Sequence, residues 1–466
     1  MIDSLAAIVG PEHIATGIDA QPWARDWTGT YSGLPAAVVR PGSTEEVSAV
    51  VTAAARGGWP IVPVSGGTGL VGGGHAPGGL VLSLDRLRAV QEIDTAARTA
   101  SVQAGVVLAD LHAAAEARDL IFPMTFGAKG SARIRGLIAT NAGGSNVLRY
   151  GSMRQLVLGL EAVMADGRVL SLMSGLRKDN TGLDLRQLLI GSEGTLDIVT
   201  ATVLRLSPRP RAYATAMIAA ASLPAALQLL NRLQGASGGA VEAFEYMPAR
   251  FIARHLDRVP GARPPFAQPH DVNILAELGA VAARDAEPGP DGVVPLTALL
   301  EAELARALED GLVREAVLAH SEAQRRDIWA RREAAAEITF TGAPVVDCDI
   351  AVPLTAVPDF LERARQVVTA LDPGATDLAV AHLGDGNVHY TVYPSRDDAA
   401  HKAALRAAVD DTALALGGSF SAEHGIGQTK LDALRRLKDP VAQAAMRGIK
   451  AALDPQGLLN PGKTIP

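Results

Sequence analysis

Cysteine is almost absent from this chain: Cys348 is the only one in 466 residues. That excludes an internal disulfide and fits a reducing compartment. Charge of one sign is scarce too. Lys and Arg total 43 against 50 Asp and Glu, the net charge is -7, and no block of like charge occurs. That balance argues against nucleic acid and acidic membranes as partners. No apolar run approaches the ~20 residues of a membrane span. The opening Met1-Ile2-Asp3-Ser4-Leu5 has neither a basic leader nor a signal-type apolar core. A cytoplasmic protein is expected, with peripheral attachment to the inner membrane left open. Aromatic residues are only 4% and say little about function. What the chain does have is 48% hydrophobic and 20% charged residues, over a length too great for one core. Two or three globular domains follow.

Along the chain, Ala36 to Val39 reads as a strand stopped by Pro41, and Thr44 to Arg56 as a helix with acids in its first turn. Pro60 to Val64, Leu80 to Leu84 and Thr99 to Val102 read as strands and Leu108 to Ala117 as a helix. Residues 122–151 carry little side-chain bulk, so they are either flexible or pressed against something large and flat. Leu156 to Met164 and Arg168 to Leu172 form a hairpin across Asp166-Gly167. Pro208-Arg209-Pro210 marks a boundary. Beyond it, strands near 214–219, 241–246, 273–277 and 345–352 alternate with helices at 224–234, 297–309, 321–336 and 357–371, an α+β pattern. Helix 401–415 and one long helix, 431–453, close the chain.

Gly67-Thr68-Gly69-Leu70-Val71-Gly72 matches the dinucleotide fingerprint. That fingerprint needs a helix starting at its glycines. Here Gly73-Gly74-His75-Ala76-Pro77-Gly78-Gly79 follows. Each glycine costs a helix about 1 kcal/mol and proline about 3. Nicotinamide binding of the Rossmann type is rejected. A loop of exposed backbone N–H groups, suited to phosphate, is what is left.

His382-Leu383-Gly384-Asp385-Gly386-Asn387-Val388-His389 is the most informative stretch. Asp385-Gly386 between two β-rich runs predicts a two-residue hairpin turn. That turn sets His382 opposite His389, with Cβ atoms roughly 5 Å apart. Two such imidazoles share one divalent metal or stand as a solvated pair, at about even odds on their own. Glu423-His424, in a glycine-rich setting, adds a carboxylate and a spare imidazole and favours the metal.

The first glycine loop, Gly127-Ala128-Lys129-Gly130-Ser131, Thr140-Asn141-Ala142-Gly143-Gly144, Arg149-Tyr150-Gly151 and Gly191-Ser192-Glu193-Gly194-Thr195 together resemble the FAD-binding fold of the vanillyl-alcohol oxidase/p-cresol methylhydroxylase (PCMH) superfamily. The His382–His389 stretch, Ser421 to Gly425 and Asn460-Pro461-Gly462-Lys463 narrow the resemblance to the FAD-linked D-2-hydroxy acid dehydrogenases. D-lactate and D-2-hydroxyglutarate dehydrogenases and the glycolate oxidase flavin subunit belong to that branch. The resemblance implies an α+β chain: a PCMH-type FAD domain over 1–210, a ferredoxin-like substrate cap over 211–415, and a segment, 416–466, that returns to complete the active site.

It further implies FAD held by Pro63, Ser65, Gly66, Gly67, Thr68, Gly69, Gly72, Gly73, Gly127, Ala128, Ser131, Gly136, Thr140, Asn141, Gly143, Gly144, Tyr150, Gly151, Glu193, Gly194, Ile198 and Asn460. Ser65 and Gly66 stand where some relatives carry a flavin-linking His, so non-covalent FAD is expected. Trp329-Ala330-Arg331-Arg332-Glu333 places the carboxylate clamp on Arg332, which suits a planar guanidinium. Read without the resemblance, Arg332 is one of four arginines on a solvated helix.

The implied reaction is metal-assisted. Zn²⁺ is the expected ion, on His382, His389 and Glu423; His424 takes the hydroxyl proton, and the C2 hydride goes to flavin N5. Electrons leave to a quinone, an electron-transferring flavoprotein or a cytochrome, and a homodimer is compatible. Relatives acting on 2-hydroxyglutarate carry a Thr and a Lys where this chain has Ala336 and Asp347. A D-lactate-like acid is therefore expected, with D-2-hydroxyglutarate, through Arg133 or Arg135, or glycolate as alternatives. Readings from other classes are a metal-dependent hydrolase and an inactive flavin-binding protein.

Overall fold

The computed structural model describes residues 1–340 and 344–466. Short apolar runs at Ala37–Val39, Ile61–Val64 and Leu80–Ser83 are buried throughout and pair in parallel, as continuously apolar strands do. Ile14–Ala15 adds an antiparallel edge. The helix Thr44–Gly57 covers this sheet. Ser43 caps it by accepting the Glu46 N–H, Gly58 ends it in the left-handed region, and Val47, Val50, Val51 and Ala54 face inward. From Val64 the chain reaches Leu80 without a helix. A five-stranded antiparallel sheet follows, in the order Val90–Asp94, Thr99–Gln103, Asp197–Arg205, Val157–Met164, Val169–Leu172. One apolar core unites the two sheets.

The second lobe is a seven-stranded antiparallel sheet. Its first half runs strand Ala212–Ala220, helix Leu223–Ser237, strands Val241–Pro248 and Val272–Ala280, helix Pro295–Glu309 and strand Val313–Leu318. The spatial order within that half is 313–318, 212–220, 272–280, 241–248, the ferredoxin-like βαββαβ arrangement. Strands Thr376–His382, Asn387–Tyr393 and Val346–Ala351 extend it. Helices 223–237, 295–309, 357–371 and 399–415 pack one face into a large core. The other face, with Met217, Ala243, Leu275, Leu378 and Val380, is buried in a smaller core with Phe251, Ile252 and Ile328, and its Leu378 and Val380 also line the cavity toward the first lobe.

Two segments depart from expectation. Residues 122–151 contain a helix, Ile134–Thr140, whose Ile134, Leu137 and Ile138 are buried. That part of the low-bulk segment is therefore core rather than exposed cradle. The expected single helix 431–453 is two, Leu431–Leu437 and Pro440–Leu453, because Pro440 lacks the N–H to continue a helix and starts a new one under an Asp439 cap. Leu431 and Leu434 belong to the cap core, whereas Ile449, Leu453 and Leu459 belong to the first lobe's core. The return is fixed at Ile61, whose N–H donates to Leu458 O and whose carbonyl accepts from Asn460 N, each at 2.8 Å. No helix among the described residues is long and apolar enough to cross a membrane.

Candidate active site

A cavity of about 740 Å³ lies between the lobes. One wall is backbone. Ser65, Gly66, Gly67, Thr68, Gly69, Gly73, Gly127, Ala128, Ser131, Gly136, Thr140, Gly143, Gly144 and Glu193 all line it. At two of these positions the protein's own backbone excludes a side chain. A Cβ on Gly66 would meet the Ser131 carbonyl at 2.5 Å. Gly144 sits at φ 138 with the Thr125 carbonyl against the same place, a conformation and a contact that only glycine meets. Ser65 Oγ is buried with no partner, so a polar group of a ligand suits it.

Eight residues expected at the cofactor do not line this cavity. Ile198 is fully buried in the core. Asn141 adopts a left-handed conformation and its Oδ1 accepts from Arg154 N and Ser152 Oγ. The Tyr150 hydroxyl donates to Glu242 Oε1 at 2.7 Å, a contact that joins the lobes. Asn460 Nδ2 donates to the carbonyls of Gly73 and Glu193. The Pro63 carbonyl accepts from Arg135, and Gly194 packs on the same guanidinium. Gly72 and Gly151 take φ 68 and φ 81 beside Tyr31 and Gln155. These motif residues shape the turns that present their neighbours.

The opposite wall is side chain. The hairpin register differs from the expected one. His382 pairs with Asn387, His389 pairs with Val380, and 383–386 form a four-residue loop with Gly386 at φ 83. His382 and His389 are thus diagonal rather than opposed. The register moved by two residues, an even number, so both rings keep the same face. Their centroids are 5.3 Å apart. The cavity face carries three rows: His382, Asn387; Val380, His389, Asp349; and Leu378, Thr391, Asp347. Glu423 Oε2 lies 3.9 Å from Nε2 of both His382 and His389. These three ligand atoms fall within 4.8 Å of one another. Two imidazoles and a carboxylate are a donor set for Zn²⁺ or a similar ion. His424 stacks on His389 with centroids 5.5 Å apart.

Three supporting groups escaped the sequence reading. Glu245, on strand Val241–Pro248, is buried, with its oxygens 2.8 and 2.9 Å from His382 Nδ1. It also accepts from Arg332 Nε at 2.8 Å. Arg332 is therefore no solvated surface residue; it is buried and its Nη2 lies 3.4 Å from His382 Nε2. Burial opposes the His382 imidazolium, but Glu245 outweighs it and the group is pushed up to about 9. His389 is held well below the usual imidazole range by burial and by His382. Asp349 Oδ2 accepts from the backbone N–H groups of Ala422, Glu423 and His424 at 3.1, 2.9 and 2.8 Å. Its Oδ1 accepts from Asn387 Nδ2, and buried Lys430 lies 3.3 Å away. Burial pushes the Asp349 carboxyl up, but His424, Lys430 and His389, with the His424 backbone N–H, outweigh it and hold it well below the usual range. Glu193 ties the walls together, accepting from Ile426 N and Gly427 N. A usable signal for Glu245 was present: Glu242 and Glu245 interrupt an otherwise apolar strand.

Residues 209–464 match the family model "FAD linked oxidases, C-terminal domain", and residues 35–173 match "FAD binding domain". A D-2-hydroxyglutarate dehydrogenase of Xanthomonas citri pv. viticola is 37% identical over 96% of this chain and 92% of its own. The mitochondrial D-2-hydroxyglutarate dehydrogenase of Rattus norvegicus is 37% identical over 95% of this chain and 80% of its own. Among solved structures, p-cresol methylhydroxylase with substrate bound superposes with a TM-score of 0.75 at 15% identity, over 99% of this chain and 96% of that one. The 4-ethylphenol oxidase of Gulosibacter chungangensis gives 0.72 at 19%, over 99% and 96%. At those identities the likeness concerns the fold. The chain belongs to the FAD-linked oxidases and is an FAD-binding oxidoreductase of the PCMH-type fold.

Proposed function

We propose that this protein oxidises a D-2-hydroxy acid bearing a single carboxylate to the 2-keto acid, with non-covalently bound FAD and a divalent ion, and passes the electrons to an external acceptor such as a quinone, an electron-transferring flavoprotein or a cytochrome. One observation carries the reading: His382, His389, Glu423, His424 and Arg332 converge on a cavity whose other wall is rich in glycine. When bound, FAD accepts the hydride, and the ion on His382, His389 and Glu423 makes the hydroxyl more acidic.

The chain's own residues do the rest. The guanidinium of Arg332, oriented by Glu245, binds the substrate carboxylate and fixes the acid in one pose. His424, whose backbone N–H is held by Asp349, takes the hydroxyl proton as general base. Glu245 fixes the ring of His382 through Nδ1 and so leaves Nε2 for a metal. The relatives' names include D-2-hydroxyglutarate. Two features of this cavity favour a monocarboxylate instead. Ala336 offers no polar group, and Asp347 presents a carboxylate. Arg133 and Arg135, the alternative contacts for a second carboxylate, donate to the backbone carbonyls of Gly105 and Pro63.

The test is anaerobic mixing of the FAD-loaded protein with D- and L-2-hydroxy acids, scored by flavin reduction rate. D-acids should reduce the flavin and L-acids should not. Equal rates for both enantiomers, or none for any acid, would end this reading.

A further inference from the structure

Beyond the metal-side residues, the cavity face of the cap has a third row, Leu378, Thr391 and Asp347, which the proposed reaction does not use. Each step along a strand's face is two residues, or ~7 Å. This row therefore lies one step past His389, on the side away from the His382 row. It is where the side chain of an acid would extend once its hydroxyl is held at the histidines.

The chemistry of that row is specific. Asp347 lines the cavity with 18% of its side chain exposed. Its Oδ1 accepts the Thr391 hydroxyl at 3.2 Å. Its main-chain carbonyl, not its carboxylate, takes Arg406 Nη1. Among the described residues, the only basic side chain within ion-pair distance of the carboxylate is His424, 4.0 Å from Oδ2. Asp349, one row back, differs sharply: it is fully enclosed and saturated by Lys430, Asn387 and three backbone donors. Asp347 keeps acceptor capacity directed at the cavity. Leu378 shares its row, and Val380, Ala336 and Phe340 are among the apolar residues lining the same cavity. An anionic acceptor on an apolar wall attracts an ammonium or hydroxyl and repels a carboxylate.

We propose that Asp347 is a specificity-determining residue, and that the protein's substrates are D-2-hydroxy acids whose side chain ends in a hydrogen-bond donor, above all an ammonium group. This rests on the reading of the site as a D-2-hydroxy acid oxidase. It goes further by naming what stands at the far end of the substrate.

The test is a set of D-2-hydroxy five-carbon acids that differ only at the terminal carbon: methyl, hydroxyl, ammonium or carboxylate. Anaerobic flavin reduction gives kcat/KM for each, with the wild type and with Asp347→Asn. The ratio between two acids on one enzyme is the readout, because any change in His424 affects all four alike. The wild type should prefer ammonium over carboxylate by about a hundredfold, since like charges brought together in a low-dielectric site cost several kcal/mol. Asp347→Asn should shrink that ratio at least ~tenfold, because the full charge is gone while the shape stays. A wild type that prefers the carboxylate overturns the proposal. So does a ratio that Asp347→Asn leaves unchanged in a protein with normal FAD content. Should the variant fail to hold FAD, the wild-type ranking still decides. If none of the four acids reduces the flavin, the oxidase reading has failed, not this one.

Discussion

The two walls of the cavity are built by opposite means. The first-lobe wall is rich in glycine: at Gly66 and Gly144 a side chain would collide with Ser131 or Thr125, whereas Gly69, Gly127 and Gly136 face open space. The cap wall is a sheet face whose ionisable groups are spaced by the pleat and paired from behind by Glu245, Asp349 and Lys430. A glycine-rich wall holds a ligand by shape. A side-chain wall does chemistry and depends on the register that aligns it. The walls meet at Gly143, where a Cβ would run into the Glu423 carboxylate.

The sharpest way to break this contrast is His389→Ala. It should abolish metal retention and lower turnover by at least ~10²-fold, because a Lewis-acid ion is worth several kcal/mol. FAD content should stay normal. Metal analysis and flavin absorbance on one sample check both, and near-normal turnover would refute the metal role. Arg332→Met should raise KM and cut kcat/KM about ten- to a hundredfold, the worth of a charge-assisted contact. Arg332→Lys should restore only part, because an ammonium lacks the planar fork. Steady-state kinetics separates the two variants.

Asp349→Asn leaves His382, His389 and Glu423 in place but weakens the anchor of the 422–424 backbone. Metal affinity should fall about ten- to a hundredfold, as for other groups that orient ligands. Competition with a chelating dye measures it. On the backbone wall, Gly144→Ala forces an L side chain to φ 138, at a cost of roughly 1–3 kcal/mol. FAD should bind ~tenfold or more weakly while the metal is kept, the reverse of His389→Ala. Equilibrium dialysis gives the answer. The smallest effect belongs to Cys348→Ala. Cys348 lies between Asp347 and Asp349, so its side chain points to the opposite face, into the cap core. Thermal unfolding should show a loss of about 1 kcal/mol, with metal content and turnover unchanged.

The walls also differ in how legible they were. The glycine wall is nearly linear in sequence. Most residues of the loops at 65–73, 127–131 and 140–144 line the cavity, and at Gly66 and Gly144 the neighbouring carbonyls select glycine. What the motifs did not separate was contact from support: Asn141, Tyr150 and Asn460 serve turns and the joint between lobes. The cap wall was legible only in parity. Counting by twos put His382 and His389 on one face, and that survived an error in the turn because the slip was even. The turn length itself was misjudged. Asp385-Gly386 suggested two residues, but the loop takes four, with Asn387 N–H donating to Asp385 Oδ1.

By itself, then, the sequence determined the elements and the chemistry on offer: strand alternation, helix caps, glycine where backbone must be bare, and an acid–histidine set at fixed spacing. Tertiary structure alone decided who meets whom. Glu245 reaches His382 across 137 positions and Asp349 reaches His424 across 75. The direction of Asp347 into the cavity follows from strand pairing with Thr391. The reason is physical. Local propensities act within a few residues, whereas strand register is set by the burial of whole faces, and a partner on a distant strand leaves no periodic trace nearby.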